Sequence, residues 1–552
     1  MPPDRMSPLS THLAHWARST PELPALTFLD YASNPDGVAR SLTWAQLDER
    51  VSTVAARLQR TVRRGERVAL MTPSGLDYVA GFLGALRAGA VAVPLFPPDL
   101  PGHEERLAGA LADCEPACVV TTSAASAGVR AFLAALDLAP DVVDIDLVRG
   151  PEACEPVDVD LDEVAYLQYT SGSTREPSGV MISHRNVVAN SHQGFALYGV
   201  EPGRSTLISW LPLYHDMGLV LTACGGIVYG VPAVFTDPVA FLVRPVRWLE
   251  LLSRYPGGIT AAPNFAFDYC ASRITPGERA DLRLENADLI INAAEPVSAD
   301  TLDRFAATFA PHGLRPDVLS GAYGLAEATV LVTCWSYEEP YRVRTLDVGG
   351  DRRMVACGYA DNPEGARLAI VDPSSGVRCA DGQVGEIWVT GPNVALGYWK
   401  RPDADAFGAS LDGRPWLRTG DLGVLVDGEL YVTGRIKDLI VVDGRNHYPQ
   451  DVEATVESAD PVVGRHRVAA FPVPVADGEG LVVVAEVSRH ATAWVTSSVA
   501  SAIRSAVSSR HGVSVHDVVL VVPNDVPRTS SGKIARFATR ERYLDGSLVV
   551  AR

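Results

Sequence analysis

A chain of 552 residues is too long for one hydrophobic core, so at least two domains are expected. Hydrophobic residues make up 47% and charged residues 21%, the composition of an ordinary globular protein. The formal net charge of −18 excludes nucleic-acid binding through a diffuse basic field, although a local basic or amide-lined pocket can still take an anion.

Along the chain, Thr43 and Gln46 have the spacing of a capping box, and Leu47, Val51, Val54 and Leu58 then repeat at helical intervals. A strand is predicted over 67–71, a helix over 76–86 and a strand over 91–95. Short apolar strands are expected at 119–120, 142–147 and 289–291, and an Ala-rich helix within 123–139. This alternation predicts an α/β architecture with largely parallel sheets in a large N-terminal domain. Strand residues on both sides of Asp427–Gly428 then predict a hairpin. Beyond it a smaller α/β unit is readable, with strands at 468–475, 481–487 and 518–522 and a helix over 494–508. The boundary falls near Gly434–Asp438, giving domains of 1–434 and 435–552.

The eight cysteines, at 114, 118, 154, 224, 270, 334, 357 and 379, form no zinc pattern and are expected as reduced thiols in a cytosolic enzyme. The N-terminus lacks a signal-peptide layout. Met217 to Thr236 is uncharged and long enough to raise the question of a membrane span, but its glycines and Pro232 favour two buried elements of a soluble fold.

Five segments carry chemistry, and each alone has a plainer reading. The run Thr170, Ser171, Gly172, Ser173, Thr174 after an apolar stretch is either a phosphate cradle or a solvated loop, and it lacks the Gly-Lys-Ser/Thr ending of a Walker motif. His215 and Asp216 in WLPLYHDMG read as a site pair or as a core-edge histidine. Glu327 in GAYGLAEAT is a carboxylate among small apolar residues, which needs a cation or a hydrogen-bond partner unless it sits in an exposed turn. Asp421 follows a glycine, as a ribose-binding carboxylate or a turn residue would, and the segment Gly434–Asp438 comes soon after it. Lys533 ends PRTSSGK, either an active lysine on a mobile loop or a solvated tail residue.

Taken together, in this order and spacing, these segments resemble the adenylate-forming superfamily of acyl-CoA synthetases, peptide-synthetase adenylation domains and luciferases. QYTSGST, WLPLYHDMG, APNF, the Ala294–Glu295–Pro296 step, YGLAEAT and GRIKDLIVVDGRNHYPQDVEATVE resemble its fatty acyl-AMP ligase branch across essentially the whole chain. The resemblance implies ATP-dependent activation of a fatty acid as acyl-AMP, with Mg²⁺. Transfer to the phosphopantetheine thiol of an acyl carrier protein supplied in trans would follow, for polyketide, lipopeptide or lipid synthesis.

It also implies roles. Thr170 to Thr174 would hold the β- and γ-phosphates. Asn292, Ala293, Ala294, Glu295 and Pro296, with Tyr323 and Gly324, would flank the adenine. Asp421 would bind the ribose hydroxyls with Arg435 nearby. Glu327 with Thr174 would ligate Mg²⁺, and Lys437 would be the hinge. Lys533 would reach the α-phosphate and the acyl carboxylate, making Lys533, Glu327 and His215 the catalytic set. Asn264, Phe265 and His215 would border the acyl group.

Two departures stand out. Arg175 and Ser178 occupy positions where the family carries glycine and lysine, and the family-type insertion near 337–355 is short. The rival readings are an acyl-CoA ligase and a non-catalytic nucleotide-binding scaffold. An amino-acid adenylation domain fits less well, because Tyr214–Met217 stands where that group resembles Phe-Asp-x-Ser.

Overall fold

The structure is a computed structural model describing residues 4–100, 102–150, 154–170, 178–335, 337, 339–348, 350–362, 365–402, 405–442, 445–475, 478–487, 493–529 (without the side chains of 493–495) and 532–551. Two large sheets form its main body. The first runs in the order Thr333–Cys334, Leu319–Tyr323, Ala287–Ala293, Gly258–Pro263, Thr206–Ser209, Ala233–Phe235, Pro24–Asp30, Val38–Thr43. Its inner strands are parallel, and only the pairs at the two edges are antiparallel. The second runs Asp141–Asp144, Cys118–Thr121, Arg67–Leu70, Val91–Pro94, Val164–Tyr169, Gly179–Ser183, again parallel except for the last pair.

The local signals explain the elements. Thr43 and Gln46 close the expected capping box on the helix Trp44–Gln59, and Leu47, Val51, Val54 and Leu58 are buried along one face. The segment predicted as a strand over 142–147 divides instead into the strand Asp141–Asp144 and the 3₁₀ turn Ile145–Leu147, where Ile145 turns into the core. The uncharged run from Met217 becomes a π-helical turn, Val220–Gly225, a short helix, Gly226–Tyr229, and the strand Ala233–Phe235. Among the described residues no helix is long and apolar enough to cross a membrane.

An antiparallel sheet follows, built on Arg367–Val371, Gly385–Thr390, Arg414–Val426 and Glu429–Arg435. Asp427 and Gly428 both have positive φ, +54° and +79°, as a tight hairpin turn of this kind requires. The hairpin Val343–Asp347 and Asp351–Val355 lies inside the segment expected as an insertion.

The C-terminal residues carry their own sheet, Val463–Val475, Gly478–Val487, Val515–Val521, and their own core, which includes Ile440, Val452, Val483 and Ile503. The helices Pro449–Ala459 and Ala493–His511 flank that sheet. All eight cysteines are free thiols.

Candidate active site

A cavity of about 2830 Å³ opens between the main body and the C-terminal residues. Thr170, His215, Asn264, Ala293, Ala294, Glu295, Pro296, Tyr323, Gly324, Glu327, Asp421, Arg435, Lys437 and Lys533 all line it, although they come from separate stretches of the chain. Ser171, Gly172, Ser173, Thr174 and Arg175 lie outside the described residues.

Register fixes the Asp421 pair. Asp421 stands opposite Arg435 across the antiparallel strands Arg414–Val426 and Glu429–Arg435. Its Oδ1 accepts from Arg435 Nε at 2.8 Å and its Oδ2 from the Tyr323 hydroxyl at 2.8 Å. The Asp421 side chain is 7% exposed, whereas that of Arg435 is 58% exposed and faces the open cavity. The buried carboxylate raises the affinity of Arg435 for its proton. Glu386 braces the preceding turn: its Oε1 accepts from the Gly420 N–H at 3.1 Å and its Oε2 from Arg418 Nε at 3.1 Å.

Glu327 sits in the 3₁₀ turn Ala326–Ala328. The next residue, Thr329, has φ +69°, a strained conformation for a β-branched side chain. It is held there by donating from Oγ1 to the Asn393 carbonyl at 2.7 Å. A Cβ at Gly324 would lie 1.7 Å from the Val330 carbonyl oxygen, so only glycine allows this turn to close. Glu327 Oε1 accepts from the Tyr398 hydroxyl at 2.7 Å. Burial outweighs that bond and holds the Glu327 carboxyl above its ordinary value.

On the opposite wall, Ala294 takes φ +66° at the end of the strand Ala287–Ala293 and turns the chain toward Glu295. Glu295 Oε2 accepts from the Phe265 N–H at 3.0 Å, at the start of the helix Asn264–Arg273. Asn292 does not face the cavity. It is fully buried, donating from Nδ2 to Asn264 Oδ1 at 3.0 Å, because its place in a central strand turns it into the sheet. Phe265 likewise stands behind the wall, where a Cβ at Gly532 would lie 3.5 Å from its ring. His215 caps the short helix Asp216–Leu219, with Nδ1 2.6 Å from Asp216 Oδ1.

Lys533 enters from the C-terminal side on a turn closed by Thr529: the Thr529 N–H donates to the Lys533 carbonyl at 2.8 Å, and the Lys533 N–H donates to Thr529 Oγ1 at 3.2 Å. Burial lowers the Lys533 ammonium from its ordinary value, against the opposing pull of Glu295 and Asp216. Burial also works against the charged form of Asp216, but His215 and then Lys533 hold its carboxyl below the ordinary value.

The apolar end of this cavity was missed by reading the sequence. Phe195, Tyr198, Val220, Leu221, Ile291 and Leu331 wall it, drawn from the end of the helix His184–Leu197, the π-helical turn, a central strand and the segment before Thr333–Cys334. The available signal was the glycine pair Gly225–Gly226 in an uncharged run, where Gly225 packs directly on the Phe195 ring. Elsewhere in the site Ser178 Oγ accepts a hydrogen bond from Arg401 Nη1 at 3.1 Å, so a guanidinium stands close to the position lacking the family lysine.

Comparison with known proteins agrees with this architecture. The model of the AMP-binding enzyme family matches residues 13–399, and that of the Disco-interacting protein 2-like AMP domain matches residues 437–552. The chain is 41% identical to the long-chain-fatty-acid–AMP ligase FadD32 of Mycolicibacterium smegmatis, over 98% of this chain and 95% of that one. Among solved structures it is similar to one from studies of fatty acyl-adenylate ligases of E. coli and L. pneumophila, with a TM-score of 0.88, 31% identity and 98% of each chain covered. It is also similar to the L. pneumophila fatty acyl-adenylate ligase in complex with acyl adenylate and pyrophosphate, with a TM-score of 0.75, 33% identity, and 99% of this chain and 97% of that one covered. The chain therefore belongs to the AMP-binding enzyme family, in its fatty acyl-AMP ligase branch. It is an ATP-dependent, adenylate-forming ligase.

Proposed function

We propose that the protein activates a medium- or long-chain fatty acid as acyl-AMP and passes the acyl group to the phosphopantetheine thiol of a separate acyl carrier protein. The observation that carries this reading is that one cavity joins an apolar end, walled by Phe195, Leu221 and Leu331, to the charged cluster of Glu327, Asp421, Arg435 and Lys533. A tail buried at the apolar end gains about 0.8 kcal/mol per methylene, so a fatty acid is held by its length.

In the first step a carboxylate oxygen attacks the α-phosphorus and pyrophosphate leaves. Two anions must approach, which at 4 Å costs roughly 4 kcal/mol at an effective dielectric of 20. Lys533, drawn toward Glu295 and Asp216, is the cation placed to offset that repulsion. Asp421 holds the ribose hydroxyls, with its own orientation fixed by Tyr323 and Arg435. The segment Ala293–Pro296 and Tyr323 flank the base. The Thr170–Thr174 run, of which Thr170 lines the cavity, takes the outer phosphates. Asn264 and His215 border the reacting carboxyl, with Phe265 behind them.

Glu327 fits a divalent cation: its buried carboxylate has a neutral phenol as its hydrogen-bond partner among the described residues, and its proton affinity is raised. Glu327 and Thr174 would hold Mg²⁺, which when bound neutralises phosphate charge. Asn292 supports Asn264 rather than contacting the base.

In the second step a thiol attacks the acyl carbonyl and AMP leaves with the bridging oxygen. Residues 436–552 act as a lid that turns about Lys437 between the two steps, while Arg435 stays with its strand, Glu429–Arg435, in the main body. Support for a restricted acceptor comes from the hairpin Val343–Val355. Arg353 pairs with Asp303 of the main body at 2.7 Å, and Arg352 pairs with Asp451 of the lid at 2.9 Å.

The test offers a panel of fatty acids with ATP and Mg²⁺, and CoA and a phosphopantetheinylated carrier in parallel, with products read by mass spectrometry. Acyl-AMP and acyl-carrier with little acyl-CoA is the expected result. Efficient acyl-CoA formation would favour the acyl-CoA ligase instead.

A further inference from the structure

A histidine bridges the two halves of the cavity away from the reacting groups. His466 Nε2 lies 2.9 Å from Asp268 Oδ2, across a gap of 198 residues. Asp268 belongs to the helix Asn264–Arg273 of the main body, and its side chain is 8% exposed. Its carboxylate is already oriented there. Arg304 Nε donates to Oδ1 at 2.9 Å and Thr301 Oγ1 donates to Oδ2 at 3.0 Å, both from the helix Ala299–Phe309.

His466 is equally well anchored on its own side. It sits at φ +53°, and its N–H donates to Glu457 Oε1 at 2.6 Å. Its carbonyl accepts from Arg528 Nη2, and Arg528 Nη1 donates to the Gly532 carbonyl at 2.9 Å. Gly532 is the residue before Lys533. A continuous chain of bonds thus runs from Asp268 through His466 and Arg528 to the turn that carries the lysine.

We propose that His466 is a positioning residue: its bond to Asp268 seats the C-terminal unit against the main body and, through Arg528, sets Lys533 in place for acyl-AMP formation. This rests on the reading of Lys533 given above. The bond is made only when the two units are docked, so it acts in the first half-reaction and must break before any lid rotation.

The charges around His466 give the latch a pH sense. Asp268 and Glu295 face it from the main body, Glu457 from its own unit, and the cations Arg304 and Arg528 stand at the far ends of the bonds just described. Burial disfavours the imidazolium, but Asp268, Glu457 and Glu295 together outweigh burial and raise its affinity for a proton above the ordinary value of 6.5. A group whose docked value is raised strengthens docking below that value, and the gain is lost as pH rises through it. Asp451, half-buried beside Arg352 and pushed up to about 6 by desolvation, is a second titrating group at another point of the interface. The latch is therefore read in the difference between wild type and a variant at 466.

The test compares wild type, His466→Ala and His466→Gln; the glutamine amide can reach the Nε2 position but does not titrate. Acyl-AMP formation is measured from pH 6 to 9, and thioester formation is measured separately from supplied acyl-AMP. His466→Ala should lower the kcat of acyl-AMP formation about 10-fold, with KM for ATP nearly unchanged and transfer intact. His466→Gln should recover most of the rate and flatten the alkaline fall. Hydrogen exchange over 264–273 and 527–535 reads docking without turnover, and His466→Ala should speed it at least about threefold in both segments. Unchanged exchange and kcat in His466→Ala, or equal loss of both half-reactions, would overturn the proposal. If the wild type made no acyl-AMP, the assignment of function would fall, while the exchange result would still decide whether His466 docks the unit.

Discussion

Asp421 and Lys533 face the same cavity but are held there by different means. Asp421 and its partner Arg435 sit opposite each other in neighbouring strands of one sheet, and Tyr323 of the main body completes the arrangement. That half of the site exists as soon as the main body folds. Lys533 sits on a turn whose bonds are internal to the C-terminal unit, and it reaches the cavity only because that unit is docked, His466 on Asp268 and Asp451 on Arg352 of the main body. On the proposed roles, the nucleotide side is built by folding and the reacting cation by docking, so the two should respond differently to mutation.

Removing the docked cation sharpens this contrast most. Lys533→Ala should lower acyl-AMP formation at least ~100-fold, the scale of lost transition-state electrostatics, with nucleotide binding nearly unchanged. Near-normal adenylation by this variant would reject its role. Lys437→Pro should come next. Proline locks φ and removes an N–H, so it should slow transfer to the carrier roughly 10-fold or more while adenylation changes far less. Equal loss of both would argue against a rotating lid.

On the prebuilt side, Asp421→Ala should raise KM for ATP about 10-fold with a smaller change in kcat, because it removes a charged hydrogen-bonding partner from the binding site. An unchanged KM in a folded variant would take Asp421 out of the site.

The smallest effect concerns pH. Glu327 is held above its ordinary value by burial, so its charged form is lost as pH falls from a higher point than for an exposed glutamate. Lys533 is held below its ordinary value by burial, so its charge is lost earlier as pH rises. The profile of kcat/KM should be a bell narrower than ordinary Glu and Lys values would give. Tyr398→Phe removes the bond that favours the Glu327 carboxylate and should move the acid limb upward. A limb that does not move would separate Tyr398 from the metal carboxylate.

What the sequence made legible follows the range of the forces involved. The capping box at Thr43 and the turn at Asp427–Gly428 are local, and both were readable from a few residues. The Asp421–Arg435 pair was readable only in part. A regular two-residue hairpin would set Asp421 opposite Gly434, and an irregularity between Leu422 and Gly423 shifts the register by one and brings in Arg435. The family resemblance implies that Asn292 flanks the adenine with Ala293 to Pro296, but the pleat of a parallel strand turns it inward. The apolar end of the cavity, marked only by the Gly225–Gly226 pair, and the His466–Asp268 bond lay beyond local reading. Their parts are far apart in the chain, and no local period or turn chemistry links them.

The most direct test of the central claim follows one oxygen. A fatty acid labelled with heavy oxygen in its carboxylate is incubated with ATP, Mg²⁺, the wild-type protein and a phosphopantetheinylated carrier. If the carboxylate attacks the α-phosphorus, acyl-AMP and pyrophosphate form in equal amounts, and one labelled oxygen appears in AMP once the thioester is made. ADP and labelled inorganic phosphate, or no labelled nucleotide at all, would contradict it.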